Sequence, residues 1–234
     1  MAELDFRSFE ALTFDCYGTL IDWETGLLAA LRKVLAAHGA SAEDEELLEA
    51  YARHESALES GEYLAYREVL RRSLDGIGRE FGFEPQPAER DAFAESVGDW
   101  PPFADSPPAL ARLGEHFRLG VITNCDDDLF ARSSRHLGAS FDWVVTAEQA
   151  GGYKPDRGNF EYAFSVIGLP RDRILHVAQS LFHDHVPAKE LGLATVWVDR
   201  RGGRAGSGAT PLADAGPDLT VPDMRSFAEM ATLR

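Results

Sequence analysis

Cysteine is scarce in this chain: Cys16 and Cys125 are the only two in 234 residues. That excludes a disulfide framework, and their spacing excludes a cysteine-based metal site. Both follow residues singled out below, and a small buried thiol packing in a core is the ordinary reading for each. Long apolar runs are missing as well. None approaches the roughly 18 residues needed to cross a bilayer. The start, Met-Ala-Glu-Leu-Asp-Phe-Arg, lacks the basic-then-apolar order of a signal peptide, so a cytoplasmic protein without a membrane partner is expected. Positive charge is also short: 23 basic residues against 39 acidic ones leave a net charge of −16. Such a balance opposes nucleic acid as a partner.

What remains is an ordinary globular composition, 44% apolar and 26% charged, with enough length for a larger and a smaller domain. Its most informative stretch is Ala11-Leu-Thr-Phe-Asp15-Cys-Tyr-Gly18-Thr-Leu20. A short apolar strand delivers Asp15 to a sheet edge, and Gly18 allows a tight turn beside it, which is the placement a nucleophile needs. A carboxylate in a strand-ending turn is the plain alternative.

From about Trp23 to Phe83 the pattern is helical, with Leu27, Leu28, Leu31, Val34 and Leu35 at three- and four-residue spacing. Proline clusters at Glu84-Pro-Gln-Pro, Trp100-Pro-Pro-Phe and Ser106-Pro-Pro then mark a change of architecture. Beyond them, apolar β-rich runs at 119–123, 143–146, 174–177 and 194–198 alternate with helical stretches. Leu219-Thr-Val221 reads as a late edge strand, and Gly202 to Gly208 as a flexible loop. The alternation predicts an α/β fold, a parallel sheet wrapped by helices with its site at the carboxyl ends of the strands.

Four segments fall at those ends: Asp15, Thr123-Asn124, Lys154 in Gly152-Tyr-Lys-Pro-Asp156, and Gln179 to Asp184. Together they offer attack, anion binding, charge compensation and water positioning. Taken singly, Lys154 reads equally as a loop residue contributing little to the core. Thr123 and Asn124 read as a helix cap, and Asp184 as a first-turn acid.

In these four motifs, in order and over nearly its full length, the chain resembles the haloacid dehalogenase superfamily. The resemblance implies a Rossmann-like doubly wound parallel sheet over residues 1–21 and 101–234, with a helical cap inserted over 22–100. It implies catalysis through an ester on Asp15. Phosphatases of the superfamily carry a second Asp where this chain has Tyr17, and an acidic magnesium ligand where it has Ala178-Gln179-Ser180-Leu181. Tyr17 instead matches the L-2-haloacid dehalogenase branch, whose halide leaving group needs neither proton nor metal. On that resemblance no cofactor or metal is expected, and the substrate is a small anionic haloacid. Asp15, Lys154 and Asp184 would be catalytic. Tyr17, Thr19, Thr123, Asn124, Gln179 and Ser180 would hold the nucleophile or the substrate, and a homodimer is compatible with the family.

The branch also supplies a cap arginine, for which Arg53 is the candidate, with Arg67 and Arg71 on nearby turns and a plain surface role as the alternative. Three positions depart from its pattern. Phe160 stands where an aromatic hydroxyl is usual, and Gln179 and Leu181 where a serine and an asparagine are. Asp126-Asp127-Asp128 follows Asn124 and would complement a helix N-terminus or, in a phosphatase reading, hold magnesium. His183 and His185 flank Asp184 as structural residues or proton shuttles. A magnesium-dependent phosphatase and a non-catalytic anion-binding protein are the competing functions.

Overall fold

The structure, a computed structural model, describes residues 4–202, 210 and 213–233; most of the expected glycine-rich loop lies outside them. Six strands form one sheet: β1 (Ala11–Phe14), β2 (Arg118–Thr123), β3 (Trp143–Thr146), β4 (Ile174–Ala178), β5 (Ala194–Val198) and β6 (Leu219–Val221). Their order is β3-β2-β1-β4-β5-β6, and every pairing is parallel. β1 therefore sits in the middle, buried on both faces, as its unbroken apolar run requires. Alternation along it sends Leu12 and Phe14 into one core cluster and Ala11 into a second cluster on the opposite face.

Directly after β1 the chain makes four helices in succession, α1 (Trp23–Ala37), α2 (Asp44–Glu59), α3 (Tyr66–Phe81) and α4 (Pro87–Glu95). Asp22 caps α1 by accepting from the Thr25 N–H, and α4 opens with proline and a Gln86–Glu89 capping box. α1 lies against Trp100 at Gly26, where a β-carbon would come within 2.3 Å of the indole. Later helices flank the sheet: α5 (Ser106–Gly114), α6 (Asp127–Leu137), α7 (Ala147–Ala150), α8 (Arg157–Ile167), α9 (Val186–Glu190) and α10 (Met224–Ala231).

The three consecutive acids tie the helical layer to the sheet. Asp126 accepts from the Tyr66 and Arg67 backbone N–H groups, capping α3 from another part of the chain. Asp127 and Asp128 lie in the first turn of α6, as expected. Asp127 accepts from Thr146 and Gln149, while Asp128 pairs with Arg67. All three carboxylates are thus committed to structure and are not directed at a metal.

Candidate active site

Asp15 stands one residue beyond β1, its N–H donating to the Val177 carbonyl of β4. The chain then turns sharply, with the Cys16 carbonyl accepting from Thr19, Leu20 and Ile21. Gly18 adopts a φ of +93° in this turn, and a β-carbon there would meet Trp23 at 3.0 Å. Asp15 is held at the carboxyl edge of the sheet, where β1, β2 and β4 end together.

Thr19 donates to Asp15 Oδ2 at 2.6 Å and Lys154 Nζ to Oδ1 at 2.9 Å. The same ammonium donates to Asp184 Oδ1 at 2.7 Å and to the Ile122 carbonyl at 2.8 Å. Lys154 is only 1% exposed. This corrects the expectation of a loop residue with little part in the core: the turn from α7 delivers the side chain under the sheet edge. Asn124 fixes it there, accepting from the Lys154 N–H and donating to its carbonyl.

Behind Asp184 lies a residue the sequence reading passed over. His176, in the middle of β4, faces Asp184 Oδ1 at 3.0 Å through Nε2 and Thr13 Oγ1 at 2.9 Å through Nδ1. An ionisable side chain inside the otherwise apolar run Ile-Leu-His-Val-Ala was its signal. Phe160 packs edge-on against His176 in that core instead of reaching the site.

The electrostatics follow from two buried carboxylates sharing one ammonium. Burial works against the Lys154 charge, but Asp15 and Asp184 outweigh it and hold its proton more firmly than usual. Burial alone would raise Asp184, yet Lys154 and His176 keep it below the ordinary carboxylate range. Asp15 is raised, chiefly by burial, with Lys154 opposing and the Asp184 charge adding to the rise. Among the described residues nothing hydrogen-bonds to Asp184 Oδ2, although it is buried. Burial also keeps His183 and His185 neutral, both lowered to about 4, and His185 hydrogen-bonds to the Ala178 carbonyl.

A cavity of about 40 Å³ opens onto Asp15. Of the expected site residues, Tyr17, Asn124, Lys154 and Ser180 join Asp15 in lining it. The Tyr17 hydroxyl is turned to Ser133 and Cys125, and Ser180 caps the following turn at His183. Asp184 does not line it and lies fully buried against Lys154, and three others are placed differently. Thr19 is wholly buried and serves Asp15 itself. Thr123 is buried and its hydroxyl has no partner among the described residues, and Asp126, not Thr123 or Asn124, occupies the cap position of α6. The Gln179 N–H donates to Thr19, its carbonyl accepts from Trp197, and its side chain borders a neighbouring cavity beside Gly18 and Arg200.

Arg53 is not in the site. Its side chain is more than half exposed and pairs with Glu80. α2 buries Leu47, Leu48, Tyr51 and Glu55, and Arg53 is turned about 200° from Tyr51 at roughly 100° per residue. Arg67 pairs with Glu95 and Asp128, and Arg71 with Asp91. The groups α2 presents to the cavity are acids, Glu55 and Glu59, joined by Trp23 and Tyr66. The i, i+4 stripe Tyr51, Glu55, Glu59 carried that signal.

A phosphatase reading needs a hard divalent cation beside Asp15. At the end of β4 the adjacent side chains are the neutral Gln179 and Ser180, and both Asp15 oxygens are already bonded, to Lys154 and Thr19. Asp184 is bonded to Lys154 and Glu55 to two tyrosine hydroxyls, and among the described residues no cluster of acids converges beside Asp15 to hold magnesium.

A sequence model described as haloacid dehalogenase-like hydrolase matches residues 9–181. An (S)-2-haloacid dehalogenase of Pseudomonas fluorescens is 25% identical over 96% of both chains. A phosphoglycolate phosphatase of Pseudomonas aeruginosa is 26% identical over 93% of this chain and 78% of its own. Among solved structures, the L-2-haloacid dehalogenase of Xanthobacter autotrophicus with chloropropionic acid covalently bound has a TM-score of 0.79 at 20% identity. That match covers 95% of this chain and 98% of the other.

Proposed function

The chain belongs to the haloacid dehalogenase-like hydrolases, and from that premise we propose that it hydrolyses the carbon–halogen bond of a small 2-haloacid through an ester on Asp15. One observation carries the reading: a buried carboxylate at the sheet edge is oriented by Thr19 and Lys154 and opens onto a cavity, with no acid two residues further along its own turn to protonate a leaving group. Tyr17 stands where that acid would be, its hydroxyl occupied by Ser133 and Cys125. A halide departs without a proton.

An Asp15 oxygen attacks the halogen-bearing carbon, forming the C–O bond as the C–X bond breaks and the halide leaves with its electron pair. Lys154 and Thr19 fix the attacking group, so little orientational freedom is lost on reaction. Water then adds to the Asp15 carbonyl, with Asp184 as the acceptor that orients it and Lys154 stabilising the negative charge that builds. Collapse expels the hydroxy acid, which keeps the original Asp15 oxygen. The water oxygen remains on Asp15, one water proton goes to the product hydroxyl, and the other is released to solvent as the Asp15 carboxylate is restored. Every group used belongs to the protein, and none of these steps requires a metal.

The test is halide release from 2-chloropropionate in EDTA, beside phosphate release from small phosphate esters with and without magnesium. Chloride release that persists in chelator supports the reading. Turnover of a phosphate ester only when magnesium is present overturns it.

A further inference from the structure

The described lining of the cavity at Asp15 holds little positive charge. Among the described residues that line it, Lys154 is the one cation, and its ammonium is already shared between Asp15 and Asp184. On the side facing them, α2 brings up two more carboxyl groups. Glu55 is 4% exposed, and its Oε1 accepts from the Tyr51 and Tyr66 hydroxyls at 2.6 and 2.7 Å. Its second oxygen accepts no hydrogen bond from the described residues, although the residue lines the cavity. Glu59, one turn further, is approached by the Asn124 amide at 3.4 Å and so stands at the strand end beside Lys154. Trp23 and Tyr66 complete the wall.

Carboxylates this poorly supplied with cations are costly to keep charged. Burial pushes Glu55 up to about 7, and burial together with the Glu55 charge raises Glu59 well above its usual range. A ligand that brings its own positive charge removes that cost. A purely anionic ligand finds the opposite field. The cavity contains its own reason for a ligand, because Asp15 opens into it.

We propose that Glu55 and Glu59, with Trp23 and Tyr66 behind them, select a substrate that carries an ammonium group close to the carbon Asp15 attacks. The substrate class is then a short 2-haloacid with an amino-bearing side chain, and α2 supplies specificity where an arginine was expected. This rests on reading Asp15 as the nucleophile, so the test has one arm that depends on turnover and one that does not.

In the first arm, chloride release is compared for 2-chloropropionate and 3-amino-2-chloropropionate, which differ by one ammonium group on the terminal carbon. A preference of about tenfold or more in kcat/KM for the amino compound is expected. Glu55→Gln and Glu59→Gln should each pull that ratio toward one. Equal or better use of 2-chloropropionate by the unaltered protein overturns the proposal. In the second arm, the thermal midpoint is read with methylammonium or acetate added at equal ionic strength. Methylammonium should raise the midpoint of the unaltered protein more than acetate does, and Glu55→Gln or Glu59→Gln should remove the difference. If neither chloride compound is turned over, the dehalogenase reading fails by itself and this arm decides. A carboxylate-dependent rise then supports ammonium recognition, and no difference between the two ions overturns it.

Discussion

Replacing Lys154 by Met should damage stability and chemistry together, and in a pH-dependent way. The side chain is buried between Asp15 and Asp184, with N–O distances of 2.9 and 2.7 Å, and Asp184 is fully buried. Methionine keeps the apolar stem but leaves two carboxylates facing each other without a cation. Breaking a buried ion pair from one side costs about 3–5 kcal/mol. The sign with pH follows from both carboxyls. In the unaltered protein Asp184 is depressed, so its contribution is present above the unfolded carboxylate pKa and is lost as pH falls through the folded one. In the variant, without the ammonium, Asp184 is raised instead and Asp15, already raised, goes higher, and that penalty grows as pH rises through their folded values. The contribution of Asp184 is complete at both pH 5.5 and pH 8, so it is the raised carboxyls of the variant that make the stability gap larger at pH 8 than at pH 5.5. Urea unfolding at the two pH values measures it, and Lys154→Met combined with Asp184→Asn should recover part of the loss because one stranded charge is gone. Turnover should fall by about 2–4 kcal/mol of barrier, since the developing charge on the ester loses its counter-ion. A Lys154→Met protein as stable as the unaltered one at pH 8, with the same pH profile, would refute the reasoning.

Asp15→Asn should abolish halide release while moving the thermal midpoint little, because shape is kept and only the attacking charge is lost; chloride assay and thermal melt check it together, with reversion to Asp excluded by mass spectrometry. Gly26→Ala should destabilise by about 1–3 kcal/mol, because the new methyl would sit within 2.3 Å of Trp100 and α1 must move away from it. Chemical unfolding monitored by tryptophan fluorescence would show the shift, and an unchanged midpoint would mean that α1 does not bear on Trp100 as described.

Much of the sheet was legible because its strands are buried on both faces and therefore read as unbroken apolar runs. The runs at 143–146 and 194–198 are strands to the residue, and Leu219–Val221 is the edge strand expected. Asp15 was legible as a strand-end residue; Lys154, expected at a strand end, instead follows α7 beyond the end of β3, and its burial was not legible, since nothing local says that a loop lysine will be drawn beneath the sheet. The helical layer hid more. Helical periodicity shows that α2 has a buried face, yet which residue of that face meets Asp15 depends on how α2 is set against the sheet. Arg53 was chosen for its charge and lies on the wrong side, while Glu55 and Glu59 continue the buried stripe begun by Leu47, Leu48 and Tyr51. His176 was overlooked because an apolar strand was read for its pattern and not for the one residue that breaks it.

The ester on Asp15 is tested most directly by one turnover in ¹⁸O-water with enzyme in excess over 2-chloropropionate. Water that attacks the Asp15 carbonyl leaves its oxygen on the enzyme. Digestion and mass spectrometry should therefore find one ¹⁸O in the peptide containing Asp15 and an unlabelled hydroxy acid. Label in the hydroxy acid, with an unlabelled Asp15 peptide, would mean that water attacks the substrate carbon directly and that no ester forms.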